Sequence, residues 1–160
     1  MDVEELAAAD ERGDAGPMAV ENALRKARAV AGGEGEVVIG CDTVVVLDGR
    51  VHGKPADEAQ ARRTLATLAG RTHEVTSGLA VLLGGEERTA IARTEVSFRA
   101  IDERLLEWYL ATGEWRDRAG GYAIQGAGAA LVRSLEGEYE NVVGLPVARL
   151  LDLCPQLLDA

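Results

Sequence analysis

The amino-acid sequence predicts an α/β fold in which helices flank a mixed, largely antiparallel sheet. Three observations point there. Strand-like stretches come in adjacent pairs with short Gly turns, at Asp48-Gly49 and Gly84-Gly85, where regular βαβ winding would put a helix between every two strands. Amphipathic helical stretches separate those pairs. Finally, 47% hydrophobic residues in 160, with no repeat and no low-complexity linker, suit one domain over residues 1–160. A domain of that size buries roughly 70% of its unfolded surface.

The elements follow in order. Pro17 suits a first helical turn, and Val20, Leu24, Ala27 and Val30 form an apolar stripe that Gly32-Gly33 ends. Val37 to Leu47 is apolar on both faces and reads as a central strand covered on each side. Asp48-Gly49 turns the chain into a short strand around Val51. Asp57 and Gln60 make a capping-box pattern for a helix with Ala61, Leu65 and Leu68 inside and Gly70 as its stop. Residues 72–83 and 87–98 read as two long strands. Asp102 caps a helix that buries Leu105, Leu106, Tyr109 and Leu110 and ends at Gly113. Residues 114–128 read as loops around a short element, 129–134 as a strand, and a last helix runs from Leu145-Pro146 to Pro155.

Composition removes several function classes. The chain carries 27 Asp+Glu against 17 Lys+Arg, a formal charge of −10. Binding nucleic acid through bulk charge needs a basic face, so that class is excluded. No apolar run approaches the roughly 20 residues of a membrane span. The acidic stretch Met1–Asp14 is neither a signal nor a transit peptide. Cys41 and Cys154 stand in no metal-ligand spacing and read as buried thiols of a reducing compartment, so a cytoplasmic location is expected.

Asp42 is the most informative residue. It stands inside an apolar strand, and burying an unpartnered carboxylate is very costly. It is either a general base or metal ligand in a cleft, or a structural carboxylate held by backbone donors. Lys54, in His52-Gly53-Lys54-Pro55, is either a phosphate contact on a loop that lets an anion approach or an exposed lysine. Arg71 and His73 flank a strand start, and His73 reads as a packing residue. Two histidines are too few for a histidine-based metal site, so any metal is a hard ion held by carboxylates and phosphate oxygens. The segment from Asp117 to Gly126 is Gly-rich, with one cation and one amide. Gln125 there either reads a base, pairing with a donor and an acceptor at once, or sits on a structural turn. Asn141 either orients a ligand or caps a turn. No P-loop or dinucleotide-binding glycine pattern occurs, and no Ser-His-Asp or Cys-His arrangement suggests itself.

Taken together, several segments resemble the Maf family of nucleoside triphosphate pyrophosphatases. They are Glu21-Asn22-Ala23-Leu24-Arg25-Lys26-Ala27, Ile39-Gly40-Cys41-Asp42-Thr43-Val44-Val45 and Gly53-Lys54-Pro55. Leu68-Ala69-Gly70-Arg71-Thr72-His73-Glu74-Val75, residues 117–126 and Gly137-Glu138-Tyr139-Glu140-Asn141-Val142-Val143-Gly144-Leu145-Pro146 complete the set. The resemblance implies an inosine triphosphatase-like fold with a central cleft. It implies hydrolysis of a nucleoside triphosphate to the monophosphate and pyrophosphate with Mg²⁺ or Mn²⁺. It implies Asp42 as proton acceptor, Lys54 and Arg118 as cleft cations, and Thr43, Gln125 and Arg71 as substrate contacts. Glu5 resembles an early acidic residue of the family, which makes Glu5 and Asp42 the implied metal ligands. The Tyr-Ala-Ile-Gln segment resembles the subgroup acting on dTTP and UTP, and a homodimer is compatible with the family. The family's opening Leu-Ala-Ser-x-Ser-Pro-Arg-Arg motif does not occur here. The chain therefore reads as N-terminally truncated relative to the family, with an open sheet edge and weakened activity expected. The same difference sustains a second expectation: a non-catalytic nucleotide-binding or interaction module linked to septum formation.

Overall fold

Helix and sheet meet here through small residues, and that contact shapes everything around Asp42. The computed structural model describes residues 14–159, so Glu5 lies outside the described residues. Helix α1 (Gly16–Val30) lies across two strands, β1 (Val37–Leu47) and β3 (Thr72–Leu83). It presses Ala19, Ala23 and Ala27 onto them, each fully buried. The strands answer with glycines. A Cβ on Gly40 would fall 2.1 Å from the Ala23 carbonyl oxygen, and one on Gly78 would fall 2.2 Å from the Ala19 carbonyl carbon. The expected stripe of Val20, Leu24, Ala27 and Val30 is therefore rotated. The buried face is Gly16, Ala19, Asn22, Ala23 and Ala27, and Val30 is exposed. Close approach selects alanine over the larger side chains that mark an ordinary amphipathic helix.

The remaining elements are β2 (Arg50–His52), α2 (Glu58–Leu68), β4 (Glu86–Phe98), α3 (Glu103–Ala111), β5 (Val132–Glu136), α4 (Tyr139–Val143) and α5 (Val147–Leu153). The sheet has five strands in the order β2-β1-β3-β4-β5. Every described pairing is antiparallel. In the β1–β3 register Asp42 faces Gly78 and Thr43 faces Ser77.

The sheet's other face carries the main core. Val45, Leu47, Val75, Val96 and Phe98 meet Ala61, Leu65 and Leu68 of α2, Leu106, Tyr109 and Leu110 of α3, and Trp115, Tyr122, Ile124 and Leu131. A smaller cluster joins Leu79 and Val81 to Leu150 and Cys154. Both caps form as expected. Asp57 accepts from the Gln60 backbone N–H at 2.7 Å while the Gln60 side-chain oxygen accepts from the Ala56 N–H, and Asp102 accepts from the Leu105 N–H at 2.8 Å.

The central strand holds, since β1 lies between β2 and β3 with α1 on one face and the main core on the other. β1 has β3 along almost its whole length, but β2 pairs only with Val45–Leu47. Among the described residues, 37–44 therefore border no strand on their other side, and Val37 and Ile39 are exposed. Two expectations change. The expected strand at 129–134 begins later, at Val132, because residues 127–131 form a 3₁₀ turn. The short helix α4 stands where the sequence offered only a lead into the last helix.

Candidate functional site

A cleft of about 150 Å³ opens where β1 passes beyond the end of β2. Asp42 lies in its wall, 5% exposed. The carboxylate is compensated by side chains of α1. Oδ1 accepts from Lys26 Nζ at 2.7 Å, and Oδ2 accepts from Asn22 Nδ2 at 3.1 Å. Asn22 and Lys26 are four residues apart and so share one helix face. The glycines that let α1 settle on the sheet bring that face within reach of Asp42.

Thr43 points to the opposite side of the sheet, so the cleft wraps around the stretch of β1 that borders no described strand. Its hydroxyl lies 2.7 Å from that of Ser77, which is fully buried. Lys54 enters from the loop after β2. That loop is tied to the next wall by a hydrogen bond from the Gly120 N–H to the Gly53 carbonyl, 3.1 Å. Asp117 and Arg118 line this wall, and Asp117 holds a left-handed backbone with φ 57°. A non-glycine residue in that region carries strain, and such strain gathers at functional sites.

Gln125 completes the lining from an exposed turn, and its amide makes no hydrogen bond to a described residue. The turn itself is anchored. Tyr122 Oη lies 2.7 Å from His73 Nε2, and Tyr109 Oη accepts from the Ala123 N–H at 3.2 Å. His73, Phe98 and Tyr122 stack edge to face. Burial, with a smaller push from His52, lowers the His73 imidazole to about 4, so it is neutral at physiological pH. Burial likewise pushes the Tyr109 and Tyr122 hydroxyls up, keeping them as hydrogen-bonding phenols.

The structure thus brings together Asp42, Thr43, Lys54, Arg118 and Gln125. Arg71 lies outside the lining, because it precedes β3 beside the β1–β2 turn and donates to Asp48 at 2.5 Å. Glu5 lies outside the described residues. Asn141 is structural: it is fully buried and its Nδ2 donates to the Val75 carbonyl and the Thr94 hydroxyl. The sequence reading gave no role to Asn22, Lys26, Ser77 or Asp117. For the first two a signal existed, a donor pair at helical spacing in a chain that must neutralise a buried aspartate. For Ser77 and Asp117 the placement depends on register and backbone angle, which spacing does not show.

Among the described residues, three cations, Lys26, Lys54 and Arg118, and two carboxylates, Asp42 and Asp117, line the cleft, in a chain of charge −10. A larger hollow of about 690 Å³ lies between residues 31–36 and the β3–β4 turn, but glycines and Glu34, Glu36, Glu86 and Glu87 line it with no cation. A polyanion would be repelled there and held in the cleft. Among the described residues no group of three or more His, Cys, Asp or Glu side chains converges. No described helix is long and apolar enough to cross a membrane.

The fold and the cleft define an α/β protein with cationic side chains lining a cleft beside a buried, compensated carboxylate. The family model described as Maf-like protein matches residues 1–157, and the chain belongs to the Maf family. A dTTP/UTP pyrophosphatase of Symbiobacterium thermophilum is 49% identical over 135 residues, which cover 84% of this chain and 70% of that protein. One of Moorella thermoacetica is 52% identical over 134 residues, 82% of this chain and 69% of the relative. One of Pyrococcus furiosus is 47% identical over 118 residues, 74% of this chain and 62% of the relative.

Proposed function

We propose that the chain is a nucleoside triphosphate pyrophosphatase that hydrolyses dTTP and UTP to the monophosphate and pyrophosphate in this cleft. The observation that carries the reading is Asp42, a buried carboxylate held by Lys26 and Asn22 in the wall of a cleft that Lys54, Arg118 and Gln125 also line. The dTTP/UTP pyrophosphatases among the relatives supply the substrate pair.

Lys54 and Arg118 bind the phosphates. Lys26, 30% exposed, moves toward phosphate oxygens when the tetraanion arrives and frees Oδ1 of Asp42. Water attacks the α-phosphorus, its proton passes to Asp42, and the bond to the β-phosphate oxygen breaks. Pyrophosphate leaves with its charge against the two cations. Asn22 stays on Oδ2 and holds the carboxylate plane through the reaction. A bound Mg²⁺ or Mn²⁺ would neutralise phosphate charge, with Asp42 as its candidate ligand among the described residues and Glu5 as the candidate outside them. The enclosed volume, about 150 Å³, is smaller than the roughly 300–1,000 Å³ of typical ligand sites, so part of the triphosphate extends beyond the enclosed space.

The test is product analysis with dTTP, UTP, CTP, GTP and ITP, each with Mg²⁺ and Mn²⁺. The panel is run with and without an added N-terminal Ser-x-Ser-Pro-Arg-Arg-type segment. Pyrophosphate and monophosphate from dTTP and UTP are expected. Tight triphosphate binding with no product from any of them in either form would favour the binding-module reading instead.

A further inference from the structure

The Gln125 amide makes no hydrogen bond to a described residue, so its aim is set by the backbone that carries it. That backbone is clamped from outside the cleft. Glu114, just beyond α3, lays both carboxylate oxygens on the turn that follows Gln125. Oε2 accepts from the Ala127 N–H at 2.9 Å, and Oε1 accepts from the Gly128 N–H at 3.0 Å. These are the first donors of the 3₁₀ turn, which have no partner within it. Glu114 is itself held, since its N–H donates to the Thr112 hydroxyl, which donates to the Tyr109 carbonyl. The contact is close. A Cβ on Gly126 would fall 2.5 Å from Glu114 Oε2, so glycine directly after Gln125 is what lets the carboxylate lie against the turn.

We propose that Glu114 is a positioning residue that sets base selectivity by fixing the turn that carries Gln125. The inference rests on the reading of Gln125 as the base contact. Uracil and thymine present an N–H donor beside an acceptor where cytosine presents an acceptor beside a donor. An amide in a fixed orientation favours one pattern, and a loose one turns to suit either. Glu114 does not line the cleft, so it acts only through the turn.

Steady-state hydrolysis of UTP and CTP by Glu114→Ala, Glu114→Gln, Gly126→Ala, Gln125→Ala and the Glu114→Ala/Gln125→Ala double variant tests it. Glu114→Ala is expected to lower kcat/KM for UTP about tenfold, mostly through KM, and to narrow the UTP:CTP preference. Glu114→Gln keeps one acceptor and falls between. Gly126→Ala pushes the carboxylate off the turn and copies Glu114→Ala. The double variant shows the same UTP:CTP ratio as Gln125→Ala alone, because the two act as one unit. If Glu114→Ala and Glu114→Gln slow both substrates equally while Gln125→Ala changes the ratio, the proposal is overturned and Gln125 remains the reader. If Gln125→Ala leaves the ratio where it was, the reading of Gln125 fails and takes the proposal with it.

Discussion

Asp42 and Lys26 are coupled at the scale of single residues. The carboxylate is almost fully buried while the ammonium is 30% exposed, so losing the cation strands a buried charge. Breaking a fully buried pair costs about 3–5 kcal/mol, and partial exposure of Lys26 reduces that to roughly 2–3 kcal/mol for Lys26→Met. Urea unfolding is expected to show that loss, and Asp42→Asn in the same chain should recover most of it. Equal losses in the single and double variants would show that the 2.7 Å contact contributes nothing. Asp42 announces itself in the sequence, because an aspartate inside an apolar strand demands a partner. The partners are fainter: an asparagine and a lysine four residues apart offer donors on one helix face, but they look like solvated residues until the glycines opposite bring that helix down.

The contact between α1 and the sheet is the element on which the site depends. Gly78 stands opposite Asp42, and a Cβ there would meet the backbone of Ala19 and Val20 at 2.2–2.4 Å. Backbone does not yield as a side chain end does, so Gly78→Ala must lift the helix. Overpacking of this kind costs about 1–3 kcal/mol, a fall of several degrees in Tm for a chain of this length. Activity should fall further than stability predicts, because Asn22 and Lys26 move away from Asp42. Unchanged turnover in a folded Gly78→Ala would detach α1 from the mechanism. Most element positions were legible, since caps at Asp57 and Asp102 and turns at glycine pairs are local chemistry. The face of α1 was not, because hydrophobicity favours Val20, Leu24 and Val30 whereas the strand glycines favour alanine. The start of β5 was also misplaced, because a side chain from another segment, Glu114, occupies the donors of residues 127 and 128.

Across the whole molecule, the buried His73 links the core to acid stability. Its imidazole is held down at about 4 in the folded chain against about 6.5 when unfolded. Between those values the unfolded state binds a proton that the folded state refuses, so this contribution to stability is intact above pH 6.5 and is lost as pH falls toward 4. The loss is roughly 3 kcal/mol in total. Urea midpoints from pH 7 to pH 4 should drop accordingly, and His73→Gln should flatten that part of the profile. A wild-type midpoint that rises toward pH 4 would place a charged His73 in the fold. The cation-lined cleft in an acidic chain also predicts that triphosphate binding weakens with salt, since exposed Lys54 and Arg118 are screened within about 8–10 Å at ordinary ionic strength.

The most direct measurement is the formation of UMP and pyrophosphate from UTP by the wild-type chain and by Asp42→Asn, with Tm recorded for both. The amide keeps the shape and the Asn22 side of the site but cannot accept the proton from water. Equimolar UMP and pyrophosphate from the wild type, and a rate at least about 100-fold lower from a folded Asp42→Asn, is the predicted result. Full turnover by Asp42→Asn, or UDP and orthophosphate as the products, would contradict the assignment of Asp42 as the proton acceptor for attack at the α-phosphorus.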